Sequence, residues 1–178
     1  MLYDRYAPKL ARRLWRIFGR REEVHDALQS TFLQVFRSLP RYDPARPFAP
    51  WLNRVAFRVA GTRLRSRRRR WWLRPWSGHE VETMRGHRAS AETRAITNQM
   101  VDRLYRAMES LPAKKRIAFA LCELEGMGLA EVGELVGASP QTVWARVKSA
   151  REILRGRMAI EWERPELDDA RQTEGSHE

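Results

Sequence analysis

Apolar residues recur at three- and four-residue spacing along most of the chain, and strict alternation is essentially absent, so the pattern predicts helices rather than strands. A first block reads as three helices, roughly Leu2 to Phe18, Glu22 to Leu39 and Pro50 to about Arg70, separated by Gly19 and by the turn segment PRYDPARPFAP. Val24, Leu28, Phe32, Val35 and Leu39 form an inward stripe on the second helix; Leu52, Val55, Val59 and Leu64 do so on the third. These stripes bury one shared core. From about Arg74 to Thr97 the period is lost and Gly, Ser, Thr and charge gather, as in a linker. A second block starts near Asn98, with Met100, Leu104, Ala107 and Met108 at helical spacing. Leu111-Pro112 closes that helix, and Lys114 to Glu125 forms another. The expected fold class is all-α: a helical domain over 1–72, a flexible linker over 73–97, a second helical domain over 98–158 and an acidic tail over 159–178.

The stretch Leu129 to Arg155, LAEVGELVGASPQTVWARVKSAREILR, reads as a helix-turn-helix. Val132, Leu135 and Val136 hold helical spacing until Gly137, which enters left-handed backbone without strain and ends a short first helix. Ser139 offers an oxygen to the free N–H groups of the next helix, and Pro140 has the fixed φ and missing donor of a first helical position. Val143, Val147, Ala150 and Leu154 then fall on one stripe. Trp144, Ala145, Lys148, Ser149 and Arg151 are left on or beside an outer face that a DNA major groove would meet. An ordinary helical hairpin with a solvated basic face fits the same segment.

The whole chain narrows that choice. Its 178 residues, 43% hydrophobic, suffice for packed cores in one domain or two small ones. A formal charge of +12 and a pI near 11.0 favour a polyanionic partner, through counterion release when Lys and Arg meet phosphates. No apolar run approaches the roughly 20 residues of a membrane span, and MLYDRYAPKLARR lacks the apolar core of a signal peptide, so a cytoplasmic location and no membrane insertion are expected. Cys122 is the lone cysteine; it has no disulfide partner in the chain, and its place in an apolar run suggests a buried thiol. Charge is unevenly spread. Arg54, Arg58, Arg63, Arg65, Arg67 to Arg70 and Arg74 occur with no acid among them, whereas the segment after Ala159 is mostly acidic. No phosphate-cradling glycine motif, nucleophile–base pair or histidine ligand spacing stands out, so no catalytic residue, metal or cofactor is expected. Two helical blocks on a tether suit a protein that touches two separated places on one partner.

Several pieces in order resemble the extracytoplasmic-function (ECF) sigma factors of the sigma-70 family: LYDRYAPKLARRLW, VHDALQSTFLQVFRSLPRYDP and RPFAPWLNRVA in the first block, and AMESLPAKKRIAFALCELEGMGLAEVGELVGASPQTV in the second. The likeness runs nearly to Met158 and starts where members usually carry a short helix upstream. It implies a protein that binds bacterial core RNA polymerase, at the clamp helices of the largest subunit and at the flap, and directs it to promoter DNA. An anti-sigma protein partner is implied as well. Asp26, Gln29, Ser30, Leu33 and Gln34 match the polymerase-binding helix. Tyr42, Arg54, Phe57, Arg58, Arg63 and Arg65 match the part that holds the opened -10 strand, where aromatic faces stack on bases and cations line the backbone. Phe48 and Trp51 lie there too, but suit core packing better. Gln141, Thr142, Trp144, Ala145, Lys148, Ser149 and Arg151 match the helix that reads the -35 duplex, with Lys and Arg suited to phosphates and Gln or Thr to base edges.

The chain departs from the family at Ser30, where Glu is common, at Arg58, where many members have the Asn associated with base capture, and at Thr62, where they have Asp. A stand-alone helix-turn-helix regulator that does not engage polymerase is the competing reading.

Overall fold

The computed structural model describes residues 2–71 and 91–158, all helix and turn. Residues 72–90, the acidic tail from 159 and the side chains of Arg68, Arg69, Arg70 and Arg74 lie outside the described residues. Helix α1 spans Leu2–Phe18, α2 Arg21–Ser38 and α3 Phe48–Trp71; α4 spans Ala91–Met108, α5 Ala113–Phe119, α6 Leu129–Val136 and α7 Pro140–Met158. Helix α4 therefore begins inside the segment expected to be linker.

Leu10, Leu14, Ile17 and Phe18 of α1, Ala27, Leu28 and Phe32 of α2, and Leu52, Ala56, Phe57 and Ala60 of α3 make the first core. Val55 and Val59 are only half-buried: the inward stripe of α3 is Leu52, Ala56, Ala60 and Leu64, whose two alanines let the helix approach its neighbours closely. Leu39 is 39% exposed, because after Ser38 the chain tightens into a 3₁₀ turn, Leu39–Arg41, whose shorter period rotates that side chain off the stripe of α2. Met100 is also exposed; α4 packs through Tyr105, Ala107 and Met108 at its far end.

The helix expected over Lys114 to Glu125 is α5 followed by a π-helical turn, Ala120–Leu124, closed by the Glu125 N–H on the Ala120 carbonyl at 3.1 Å. The helix-turn-helix follows the predicted plan. Gly137 has φ +66° and ends α6, while Ser139 Oγ accepts the Thr142 N–H at 3.2 Å and so caps α7. Val143, Val147, Ala150 and Leu154 are buried.

The buried residues of both blocks belong to one continuous core. At its centre is Arg116 of α5, 2% exposed, whose Nε and one terminal nitrogen donate to the carbonyls of Ile17 (2.7 Å) and Phe18 (3.1 Å), while the other terminal nitrogen donates to Met108 (3.4 Å). Those carbonyls end α1 and α4. A cation there meets the negative ends of two helix dipoles and supplies donors that the last turns lack. Burial lowers the Arg116 pKa to about 10; Glu23 raises it, Arg67 lowers it and Glu109 raises it to smaller extents. Beside it an ion network crosses the blocks: Glu109 Oε1 accepts from Arg20 (2.8 Å) and Arg67 (2.6 Å), and Arg67 also donates to Glu23 (2.5 Å). Gly19, at φ +69°, lies under the Tyr105 ring so closely that a Cβ would come within 2.3 Å of it.

Candidate nucleic-acid and polymerase interfaces

On α2 the inward stripe leaves the opposite side to solvent. Asp26, Gln29 and Gln34 are exposed, and Leu33 is 53% exposed. One turn on, Phe36 is 63% exposed, the largest exposure among the big apolar side chains of the described residues. Sequence reasoning passed over Phe36, although an aromatic ring three residues after Leu33 and off the stripe was a usable signal. Asp26 and Ser30 face α3: Arg63 donates to Asp26 Oδ2 at 2.6 Å and to Ser30 Oγ at 3.2 Å.

Residues matched to polymerase and to the -10 strand therefore share a groove of about 500 Å³ between α2 and α3. Ser30 and Gln34 line one wall; Trp51, Arg58, Thr62 and Arg63 line the other. Tyr42 is half-buried in an aromatic cluster that reaches the groove through Trp51, its ring centroid 4.7 Å from that of Trp51 and 5.5 Å from that of Phe48. Phe48 and Trp51 are half-buried against the core. Phe57 is a correction: it is 3% exposed and packs inside the core, out of reach of a base, because its position falls between the two inward alanines. Arg58 is exposed; Thr62 donates to the Arg58 carbonyl at 3.1 Å and accepts from Arg65 at 3.1 Å. Arg54 donates across the molecule to the Glu134 carbonyl of α6 at 2.8 Å.

The outer face of α7 is arranged differently. Gln141, Trp144, Ala145 and Lys148 follow one another at helical spacing and are all exposed, with Trp144 at 45%. Lys148 Nζ stands 5.3 Å from the Trp144 ring centroid, a cation–π contact that lays the indole along the helix. Thr142 is exposed beside the Ser139 cap, their hydroxyls 2.9 Å apart. Ser149 and Arg151 turn inward: Ser149 Oγ accepts from Lys115 at 2.7 Å, and Arg151 donates to Glu123.

Cys122 is half-buried, and its thiol pKa is pushed up to about 11 by burial and by Glu123, against Arg151. Among the described residues no three His, Cys, Asp or Glu side chains converge on a metal-holding group, and no helix is long and apolar enough to cross a membrane.

One chain thus carries an α2–α3 groove beside exposed Leu33 and Phe36 and, after it, a helix-turn-helix with an open outer face. Residues 2–70 match the family model for Sigma-70 region 2 and residues 102–154 that for Sigma-70 region 4. The chain is 31% identical over 155 residues to the RNA polymerase sigma factor CarQ of Myxococcus xanthus, covering 86% of this chain and 85% of that one. It is 29% identical over 159 residues to the ECF RNA polymerase sigma factor SigE of Mycolicibacterium smegmatis, covering 89% of this chain but 60% of that longer relative. The fold is similar to RpoE of Bartonella quintana, solved with the anti-sigma factor NepR, at TM-score 0.58 and 18% identity over 89% of this chain and 95% of that one. It is also similar to CnrH, solved with the cytosolic domain of CnrY, at TM-score 0.55 and 23% identity over 89% and 85%. The chain belongs to the sigma-70 family, in its ECF group.

Proposed function

We propose that this chain is the promoter-specificity subunit of a bacterial RNA polymerase, joining the core enzyme through the exposed face of α2. Leu33 and Phe36 supply the apolar centre of that contact, with Gln29, Gln34 and Asp26 around it; an exposed aromatic anchor ringed by polar groups is the usual make-up of an interface centre. Where other members carry Glu, Ser30 is committed to Arg63, so the contact here rests more on apolar burial than on charge. The groove between α2 and α3, with Tyr42 and Trp51 at one end and Arg58 and Arg63 along it, suits an unstacked base and the backbone of an opened -10 strand. Arg58 gives that groove a cation in place of the family's Asn. The open face of α7 enters the -35 major groove, with Gln141 and Thr142 nearest base edges, Lys148 on phosphate and Trp144 against sugar or a thymine methyl.

Phosphodiester synthesis belongs to the polymerase and the chain itself catalyses nothing. It acts in the cytoplasm, and a protein of the anti-sigma class restrains it. The observation that carries this reading is the unpartnered Leu33–Phe36 face on α2, which a free-standing DNA-binding protein does not need. A stand-alone regulator is the second reading, favoured by one observation: the α7 face is open while the blocks remain packed together. Binding of the full chain to core polymerase by fluorescence anisotropy separates them. Submicromolar binding that weakens at least tenfold in a Leu33→Ala, Phe36→Ala variant is expected, and no binding at micromolar concentrations contradicts the reading.

A further inference from the structure

A second cleft, of about 490 Å³, opens where α3 meets the turn between α4 and α5. Its cations come from three helices: Arg65 and Arg67 from α3, Lys114, Lys115 and Arg116 from α5, and Arg146 from α7; Arg65 donates to Thr62 and Lys115 to Ser149. One carboxylate lines it, Glu109, whose Oε1 is already taken by Arg20 and Arg67. Arg67 is spent on Glu23 and Glu109, and Arg116 on backbone carbonyls. Lys114 is exposed and Arg146 half-buried, and neither meets an acceptor among the described residues. A guanidinium held partly out of water with its donors unused favours an anion. Leu64, Leu111 and Pro112 give the cleft an apolar floor.

We propose that this cleft binds a polyphosphate chain, carried by a nucleoside polyphosphate. The volume lies within the range of small-molecule sites and exceeds what one phosphate fills. Converging cations from separate helices match several phosphate groups, and the floor offers an apolar surface to a base. A duplex backbone runs over protruding cations, whereas here exposed Arg65 and Lys114 stand beside half-buried Lys115 and Arg146 around a hollow. The walls come from both blocks, so an occupant holds α3 against α5 and α7 and keeps Arg54 on the Glu134 carbonyl. By linkage it opposes whatever needs α3 released. This site stands independently of polymerase binding, and its test contains no polymerase.

The experiment is calorimetric titration of the full chain at 0.15 M salt with ATP, inorganic tripolyphosphate, adenosine and a short duplex DNA, repeated on a Lys114→Ala, Arg146→Ala variant. Arg103→Ala, a cation of α4 exposed outside the cleft, serves as the control. We expect saturable one-to-one binding of ATP, none of adenosine, at least tenfold weakening in the double variant and no change in the control. Tighter binding of ATP than of tripolyphosphate supports the nucleoside source, and equal binding supports the phosphate chain alone. The proposal is overturned if ATP fails to bind at millimolar concentration, if the control weakens as much as the double variant, or if the double variant loses duplex affinity as steeply as ATP affinity.

Discussion

Helices α3 and α7 both match DNA-facing parts of the family, yet they hold their cations in opposite ways. Helix α3 is rich in arginine, but Arg54 is bonded to the Glu134 carbonyl, Arg63 to Asp26 and Ser30, and Arg67 to Glu23 and Glu109. Helix α7 has fewer cations near its start, but Gln141, Trp144, Ala145 and Lys148 are open to solvent. Local charge density is therefore a poor guide to which helix is ready for DNA. A cation already paired within the protein must leave that partner before it can meet a phosphate, so affinity falls by what the internal contact contributes. In the free chain the α7 face is open; on α3 Arg58 is exposed and Arg63 is held by α2 within its own block, while Arg54 and the Arg67–Glu109 contact are released only when the two blocks come apart.

The strongest way to break this contrast is Arg116→Met, which leaves the carbonyls of Ile17, Phe18 and Met108 buried without their donor. We expect a stability loss of about 3 kcal/mol in urea unfolding, from several unmet acceptors at once. If the chain remains folded, its nonspecific DNA affinity rises as α3 is released; a loss below about 1 kcal/mol would show that Arg116 does not hold the blocks together. Gly19→Ala acts on the same junction through the Tyr105 ring and the positive φ, at about 2 kcal/mol. Thermal unfolding checks it, and an unchanged midpoint contradicts the close approach. Lys148→Ala sharpens the other side of the comparison: duplex affinity falls about tenfold and the salt slope drops by about one, whereas Arg54→Ala changes duplex binding of the free chain little.

The smallest effect concerns Cys122, whose raised pKa leaves about 100-fold less thiolate than an ordinary thiol of pKa 9.0 at neutral pH. Labelling should be correspondingly slow. The raised folded-state value also contributes stability below pH 9 that is lost as pH climbs through about 11. Labelling as fast as an unfolded control contradicts the half-buried thiol.

Much of the fold was legible because helical spacing marks which residues share a face, and because Gly137, Ser139 and Pro140 leave local signals where α6 ends and α7 begins. What spacing cannot tell is which neighbour a face meets. Val55 and Val59 keep the helical period as well as Ala56 and Ala60 do, but the neighbours of α3 come close only over the small residues. The motif match sets Phe57 among the DNA contacts, while packing holds its ring inside the core. Arg116 sits in KKRIAFALC like a solvent-facing charge; two of the three carbonyls it caps lie 98 and 99 residues earlier, so no local pattern announces that pairing. On α7 the period separated the open residues from Val143 and Val147. That Ser149 and Arg151 are engaged by Lys115 and Glu123 depends on α5 and the π-helical turn, which a reading of α7 alone does not contain.

The most direct test is transcription from a library of genomic fragments by bacterial core polymerase, with 5′ ends mapped in the presence and absence of this chain. Discrete 5′ ends that arise only with the chain, and disappear with the Leu33→Ala, Phe36→Ala variant, are predicted. Unchanged 5′ ends, together with discrete duplex sites protected by the chain alone, would contradict the polymerase-subunit reading and establish a stand-alone regulator.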